Sequence, residues 1–332
     1  MILSDSLSND DVILVAGAGG FIGGHLVANL RNQGFVRVRA VDIKPLDTWH
    51  QHFTDVENII RDLSDKTACF EVTQDARVVF NLAADMGGMG FIEGNRALCM
   101  LSVLINTHML LAAKDRGIER YFYSSSACVY AAQHQESPEV VPLREEDAYP
   151  AMPEDGYGWE KLFSERMCRH FREDFGLTTR IARYHNIYGP HGTFEGGREK
   201  APAAICRKVA DAVLNGNNTI EIWGDGKQTR SFTYITDCLE GTLRLLMSDW
   251  DEPLNVGSSE LVSVDQLVDI VEAIAGTHLV RQYRLDAPQG VRGRNSDNSR
   301  IREVLGWSPS VPLVDGLATT YRWVYDELAA RH

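Results

Sequence analysis

The sequence is 332 residues long, 44% hydrophobic and 24% charged, with a formal net charge of −13 at pH 7. That much apolar material builds a large core and the length suits two lobes, while acidity spread along the chain argues against nucleic acid as the main partner. No apolar run reaches the roughly 18 residues of a membrane span, so no membrane partner is expected, and Met1 to Asp11 lacks the basic start of a signal peptide. Cys69, Cys99, Cys128, Cys168, Cys206 and Cys238 are scattered without a Cys-x-x-Cys. Neither a zinc site nor a disulfide framework is expected, and a reducing cytoplasm is the natural setting.

Val12 to Ala16 reads as a buried strand. It leads into Gly17-Ala18-Gly19-Gly20-Phe21-Ile22-Gly23, which opens a helix through Leu30. Gly17, Gly20 and Gly23 have the spacing of a dinucleotide loop: missing side chains permit a tight turn, close approach of a pyrophosphate and close helix–strand packing. Unpaired N–H groups at the helix N-terminus favour the anion. A second strand, Val36 to Val41, ends in Asp42, 19 residues beyond Gly23. An acid there meets a ribose diol and repels a 2′-phosphate, which favours NAD over NADP.

Asp62 follows a third short strand and is a candidate for the adenine side. Arg77 to Ala84 is another buried strand, and its last residues, Asn81 to Ala84, are small enough for a cofactor to pass closely. Asp85 to Gly90 holds three glycines, too flexible for a helix or strand interior, and is expected to offer backbone to a substrate. Arg96 to Arg116 reads as a long helix. Tyr121 to Tyr130 contains a strand whose C-terminal end carries Ser126, where function sits in doubly wound sheets. Cys128 alone reads as a small buried hydrophobe.

Tyr157 to Phe175 has apolar positions at helical spacing. Tyr157 and Lys161 are four apart and share a face. A phenol titrates near pH ~10; an ammonium one turn away is expected to lower that value and make Tyr157 a base toward a sugar hydroxyl. Thr178 to Tyr184 is the next strand, and His191 to Lys200 a glycine-rich loop. Pro202 lies early in the following helix, where it is tolerated. Thr219 to Trp223 is a strand, Ile235 to Met247 a helix returning to the first lobe, and Ser263 to Ala275 a helix stopped by Gly276. Closing helices run from Ser299 to Leu305 and from Val314 to Ala330.

The glycine loop, Asp42, Ser126 and Tyr157/Lys161 resemble the extended short-chain dehydrogenase/reductase superfamily, which acts on nucleotide sugars. More narrowly, the chain is similar to the GDP-mannose 3,5-epimerase family from about residue 12 to 325. The likeness is dense at Asn81 to Phe91, Tyr123 to Tyr130, His185 to Pro190, Gly196 to Ala204, Gly224 to Phe232 and Gly290 to Asp297. Ala131-Ala132 departs from it, standing where the family has Pro-Glu. The chain also stops at His332, without the longer C-terminal tail of the plant members, so no nucleotide contact from that tail is expected.

The resemblance implies an α/β fold, a Rossmann-type doubly wound parallel sheet with a smaller, interleaved C-terminal substrate lobe. The NAD-binding part takes residues 1–184 plus about 231–257, and the nucleotide-sugar lobe about 185–230 and 258–332. NAD is implied at Gly17, Gly20, Phe21, Ile22, Gly23, Asp42, Asp62 and Ala83, with Tyr157 and Lys161. Tyr157 takes the proton from the substrate O4, Ser126 bonds the same oxygen, and Cys128 and Lys200 match the family's acid–base pair at C3 and C5. Substrate contacts are implied at Gly87, Ser126, Ala127, Cys128, Asn186, Glu199, Lys200 and Ala201. Lys208, Gln228, Thr229, Arg230 and Arg294 complete them, the two arginines suiting a diphosphate. The expected activity is NAD-dependent epimerisation of GDP-mannose at C3 and C5, to GDP-L-galactose and/or GDP-L-gulose, through a transient 4-keto sugar. Alternatives are a nucleotide-sugar 4-epimerase or another sugar-modifying enzyme of the superfamily, and a non-catalytic nucleotide sensor. A homodimer through the helices at 96–116 and 157–175 is also implied.

Overall fold

Five consecutive buried apolar residues, Val12–Ala16, form β1, the pattern of a strand covered on both faces. With it run β2 (Val38–Asp42), β3 (Glu57–Ile60), β4 (Ala76–Asn81), β5 (Arg120–Ser126), β6 (Thr179–Tyr184) and β7 (Leu254–Val256). They make one seven-stranded sheet in the order β7-β6-β5-β4-β1-β2-β3, with every pairing parallel. The computed structural model of the chain describes residue 3 and residues 7–331.

The longer helices are α1 (Phe21–Asn32), α2 (Arg96–Arg116), α3 (Tyr157–Phe175), α4 (Ala201–Asn215), α5 (Ile235–Met247), α6 (Val264–Ala275) and α7 (Leu313–Ala329). Side chains alternate across the strands, so β1 feeds two cores. Ile13 and Val15 pack with Leu26 and Leu30 of α1 and Leu239 and Leu243 of α5. Val12 and Leu14 pack with Met109, Leu110 and Ala113 of α2 on the other face. A third core joins α4, α6 and α7 through Cys206, Val209, Leu267, Val271, Leu317 and Val324. Beside it Thr219–Trp223 pairs in parallel with Val280–Arg284.

The strand order reverses between β1 and β4, which opens a crevice at the carboxyl ends of the strands, where ligands of doubly wound sheets bind. Three sequence expectations change here. Met89 and Gly90 lie in a short helix, Met89–Gly94, whose start is fixed by a hydrogen bond from the Gly88 N–H to the Arg198 carbonyl at 3.0 Å. Strand β7 has only three residues, too few to show a pattern. Finally, α2 is long and apolar enough by length and composition to cross a membrane, with a mean hydropathy of 1.5. Its packing explains that composition: Met109, Leu110, Ala112 and Ala113 face the sheet and Cys99 packs with Cys128 and Tyr157, while Leu98, Leu101 and Leu104 are exposed.

A buried ion pair ties β6 to α3. Arg183 Nε and Nη2 donate to the two Glu165 oxygens at 2.9 and 2.8 Å, and Arg183 Nη1 donates to the Glu145 carbonyl at 2.7 Å. Ser125 Oγ donates to Glu165 at 2.5 Å. Removing one partner strands the other charge in the interior, at a cost of about 3–5 kcal/mol. Glu165→Gln is expected to lower the urea unfolding free energy by that amount; a loss below about 1 kcal/mol, the worth of an exposed pair, contradicts the assignment.

Candidate active site

At the end of β1 the chain turns through Gly17, with φ of +83°. A Cβ on Gly17 would stand 2.9 Å from the Ala83 nitrogen, so only glycine lets β1 and the end of β4 meet. A Cβ on Gly23 would strike the Gly17 carbonyl, and one on Gly19 would enter the Trp49 indole ring. Helix α1 starts at Phe21 and Ile22 behind Gly20, with no side-chain cap and no acid in its first turn. Its first N–H groups are left for an anion. Asp42 at the end of β2 accepts from the Gly19 N–H and the Lys44 N–H, each at 3.0 Å. A carboxylate has about four acceptor sites, so capacity for a ribose remains. Asp62 is exposed beyond β3, its Oδ1 accepting from the Ser64 N–H at 2.9 Å. These features fit a dinucleotide: a side-chain-free cradle, an uncapped helix and an acid at the diol position.

Beyond that cradle stand Ser126, Tyr157 and Lys161. Ser126 ends β5, and its hydroxyl accepts from the Cys128 N–H at 3.2 Å. Tyr157 and Lys161 lie one turn apart on α3 and are buried. The expected lowering of the Tyr157 phenol is not what the structure has. Burial raises it well above its usual value, Cys128 and Glu160 add to the rise, and Ser126 opposes it. The Lys161 ammonium lies 5.4 Å from the centre of the Tyr157 ring, donates to the Tyr123 hydroxyl at 3.2 Å and sits 3.6 Å from the Glu160 carboxylate. A carboxylate that close cancels most of the field the ammonium casts on the phenol.

Cys128, next to Ala127, is 6% exposed. Burial pushes its thiol up to about 11, with Glu154 adding to the rise and Arg294 opposing it. Lys200 caps the start of α4, just before Ala201. Burial pulls its ammonium down, and Cys128 opposes that. Gly87 is buried and stands against the Phe91 ring. A Cβ on its neighbour Gly88 would lie 2.5 Å from the Glu199 carbonyl. The glycine-rich segment thus docks on the strip that carries Lys200.

The remaining residues divide. Arg230 donates only to backbone, to the Thr229 carbonyl at 2.7 Å and the Val291 carbonyl at 2.5 Å. Burial lowers it to about 9, with Arg294 the next cause. A guanidinium so placed is ready for an anion. Arg294 is already engaged: it pairs with Glu154, donates from Nε to Gln135 Oε1 at 2.5 Å and presents Nη1 to Cys128 Sγ at 3.7 Å. Arg294, expected with Arg230 at the diphosphate, thus stands between Glu154, Gln135 and Cys128. Asn186 has φ of +47° and donates to the Ser231 carbonyl at 2.9 Å. Gln228 donates to the Trp223 carbonyl at 2.7 Å and keeps a buried, unpartnered Oε1. Thr229 Oγ1 donates to the Pro138 carbonyl at 2.6 Å. Glu199 accepts from the Gly197 N–H at 2.7 Å, and Lys208 donates to the Glu221 carbonyl at 2.8 Å.

Sequence reasoning missed Tyr123, Gln135, Glu154 and Glu160. Their neighbours in sequence gave no sign that these side chains turn inward. Glu154 also walls a cleft of about 410 Å³ with Arg96, Met152, Pro153 and Gln289. A second cavity of about 420 Å³, lined by Arg166, Arg169, Glu252 and Arg300, lies against the buried Arg183–Glu165 pair and touches none of the candidate site residues. Among the described residues no His/Cys/Asp/Glu cluster is arranged to hold a metal ion.

Residues 13–257 match the NAD dependent epimerase/dehydratase family. GDP-mannose 3,5-epimerase 1 of Oryza sativa subsp. indica is 46% identical over 317 residues, covering 95% of this chain and 82% of that protein. The GDP-mannose 3,5-epimerase of Arabidopsis thaliana is 45% identical over the same shares. Among solved structures, UDP-glucuronic acid 4-epimerase of Bacillus cereus, in complex with UDP-glucuronic acid and NAD, superposes with a TM-score of 0.77 at 26% identity, covering 95% of this chain and 99% of that one. UDP-glucose 4-epimerase of Thermotoga maritima shares the fold with a TM-score of 0.83 at 24% identity, covering 95% and 99%. A glycine cradle with its acid, a Ser–Tyr–Lys constellation and relatives matched along nearly their whole length place this chain in the NAD-dependent epimerase/dehydratase family, among the GDP-mannose 3,5-epimerases.

Proposed function

We propose that the chain epimerises GDP-mannose at C3 and C5, giving GDP-L-galactose and/or GDP-L-gulose, with NAD as its cofactor. The observation that carries this reading is the packing of the buried Cys128 thiol with Tyr157, with Lys200 opening α4 at the end of the strip that docks on Gly88. Inversion at carbon needs a base on one face and an acid on the other; inversion at C4 alone does not need this pair. Gly17, Gly20, Gly23 and Asp42 would hold NAD, which when bound supplies a reversible hydride acceptor for C4. Tyr157 takes the O4 proton and returns it, and Ser126 bonds the same oxygen. The resulting 4-ketone acidifies the hydrogens at C3 and C5, which Cys128 and Lys200 remove and replace. Burial moves each toward its uncharged form, the amine as acceptor and the thiol as donor. Each such transfer is worth about 10²–10⁴-fold in rate. Arg230 meets the diphosphate, in a lobe built from about 185–230 and 258–332.

We also propose a homodimer. Leu98, Leu101 and Leu104 on α2 and Trp159 and Phe163 on α3 are exposed at helical spacing, and α2 packs beside α3. Two such faces close into four helices and cover the exposed apolar side chains of both. The six cysteines are all unpaired and buried, which supports the cytoplasmic setting.

Incubation with GDP-mannose in heavy water, followed by NMR of the recovered sugar, tests the chemistry: deuterium is expected at both C3 and C5. C4 inversion without that label would indicate a 4-epimerase instead. Tyr157→Phe should cut turnover by about 10²–10⁴-fold with NAD retained; activity near the starting level rejects Tyr157 as the base. Cys128→Ala should stop label entering while NADH absorbance still rises on substrate addition, and Lys200→Ala should impair at least one centre. Unchanged label at both carbons in either variant removes that residue from the mechanism. Leu101→Glu combined with Phe163→Glu should halve the mass found by light scattering, and an unaltered mass places the dimer contact elsewhere or nowhere.

A further inference from the structure

Glu154 has no role in the chemistry above. It lies in the loop before α3, and its backbone N–H donates to the Cys128 carbonyl at 3.0 Å. Its side chain is 10% exposed, and Oε1 pairs with Arg294 Nη2. Oε2 is buried with no hydrogen-bond partner among the described residues. The same guanidinium, braced by Gln135, offers Nη1 to the Cys128 sulfur at 3.7 Å. One rigid planar group therefore spans a carboxylate and a thiol. The charged and titratable groups facing Cys128 come from six places: Glu154 from this loop, Arg294, Arg230 behind it, Lys200 at the start of α4, Tyr157 on α3 and Cys99 on α2. Glu154 is the only carboxylate in that set.

We propose that Glu154 is a positioning residue for proton transfer at Cys128: it holds Arg294 against the sulfur and, as the carboxylate alongside, keeps Cys128 in its thiol form. The inference rests on the reading of Cys128 as an acid–base group. A cation alone beside the sulfur would favour thiolate, and an anion disfavours it. Burial and then Glu154 raise the thiol while Arg294 pulls it down, which is the balance the geometry implies. Glu154 thereby offsets the charge of Arg294 and leaves the thiol able to donate.

The test is a pH titration of the ultraviolet thiolate absorbance, taken as the difference from Cys128→Ala so that the other thiols cancel. Glu154→Gln keeps a hydrogen bond to Arg294 and removes the charge. Its titration midpoint should fall by at least about one pH unit, a tenfold rise in acid dissociation. The pH profile of deuterium entry at C3 and C5 should move to lower pH with it. Glu154→Asp keeps the charge and should titrate like the unaltered protein; Glu154→Ser stands in if the Gln variant does not fold. A Gln variant that titrates with the unaltered protein overturns the proposal. So do Asp and Gln variants shifted alike, which marks a packing role. No deuterium at C3 or C5 in the unaltered protein would sink the functional reading, while the titration would still decide the part played by Glu154.

Discussion

The site is assembled where the glycine-rich turn after β4 meets the strip before α4. The Gly88 N–H reaches the Arg198 carbonyl, and Gly88 leaves room for the Glu199 carbonyl where any side chain would stand. Arg198 adds a contact with Asp85 at 3.7 Å and lies over the Phe91 ring. Together these contacts tie the strip from Arg198 to Lys200 to the turn that follows β4. The sheet supplies Ser126, Tyr157 and Lys161 from its own layers. Lys200 comes from the other core, and the glycine-rich turn after β4 is the surface on which it docks.

Electrostatics in this crevice are governed by desolvation more than by single charge pairs. Tyr157, Cys128 and Lys200 are each displaced toward the neutral form, with burial as the leading cause. Charges that survive are balanced closely. Lys161 faces Glu160 and Arg294 faces Glu154, whereas Arg230 bonds only backbone carbonyls. Arg230 thus differs from the other two cations in having no carboxylate partner among the described residues.

Much of the fold was legible because spacing encodes geometry. Gly17, Gly20 and Gly23 fall where side chains would collide, and Tyr157 and Lys161 fall one turn apart. The sign of the Tyr157 shift was not legible, because Glu160 sits next to Lys161 in sequence and nothing local says that both are buried. Glu154 was illegible for a related reason: its partners, Arg294 and Cys128, lie in other elements and meet only after folding. Strand β7 escaped because three residues carry no periodicity. The protein partners of Arg294 were illegible on the same ground, since a guanidinium's partner is a tertiary fact.

Trp49 has a consequence of its own. Its indole lies against Gly19, anchored by a hydrogen bond to the Lys44 carbonyl at 2.9 Å, and it is 6% exposed. The glycine turn is therefore backed by a pinned aromatic ring that belongs to the core under α1. A loop stiffened from behind before its ligand arrives has little freedom left to lose on binding.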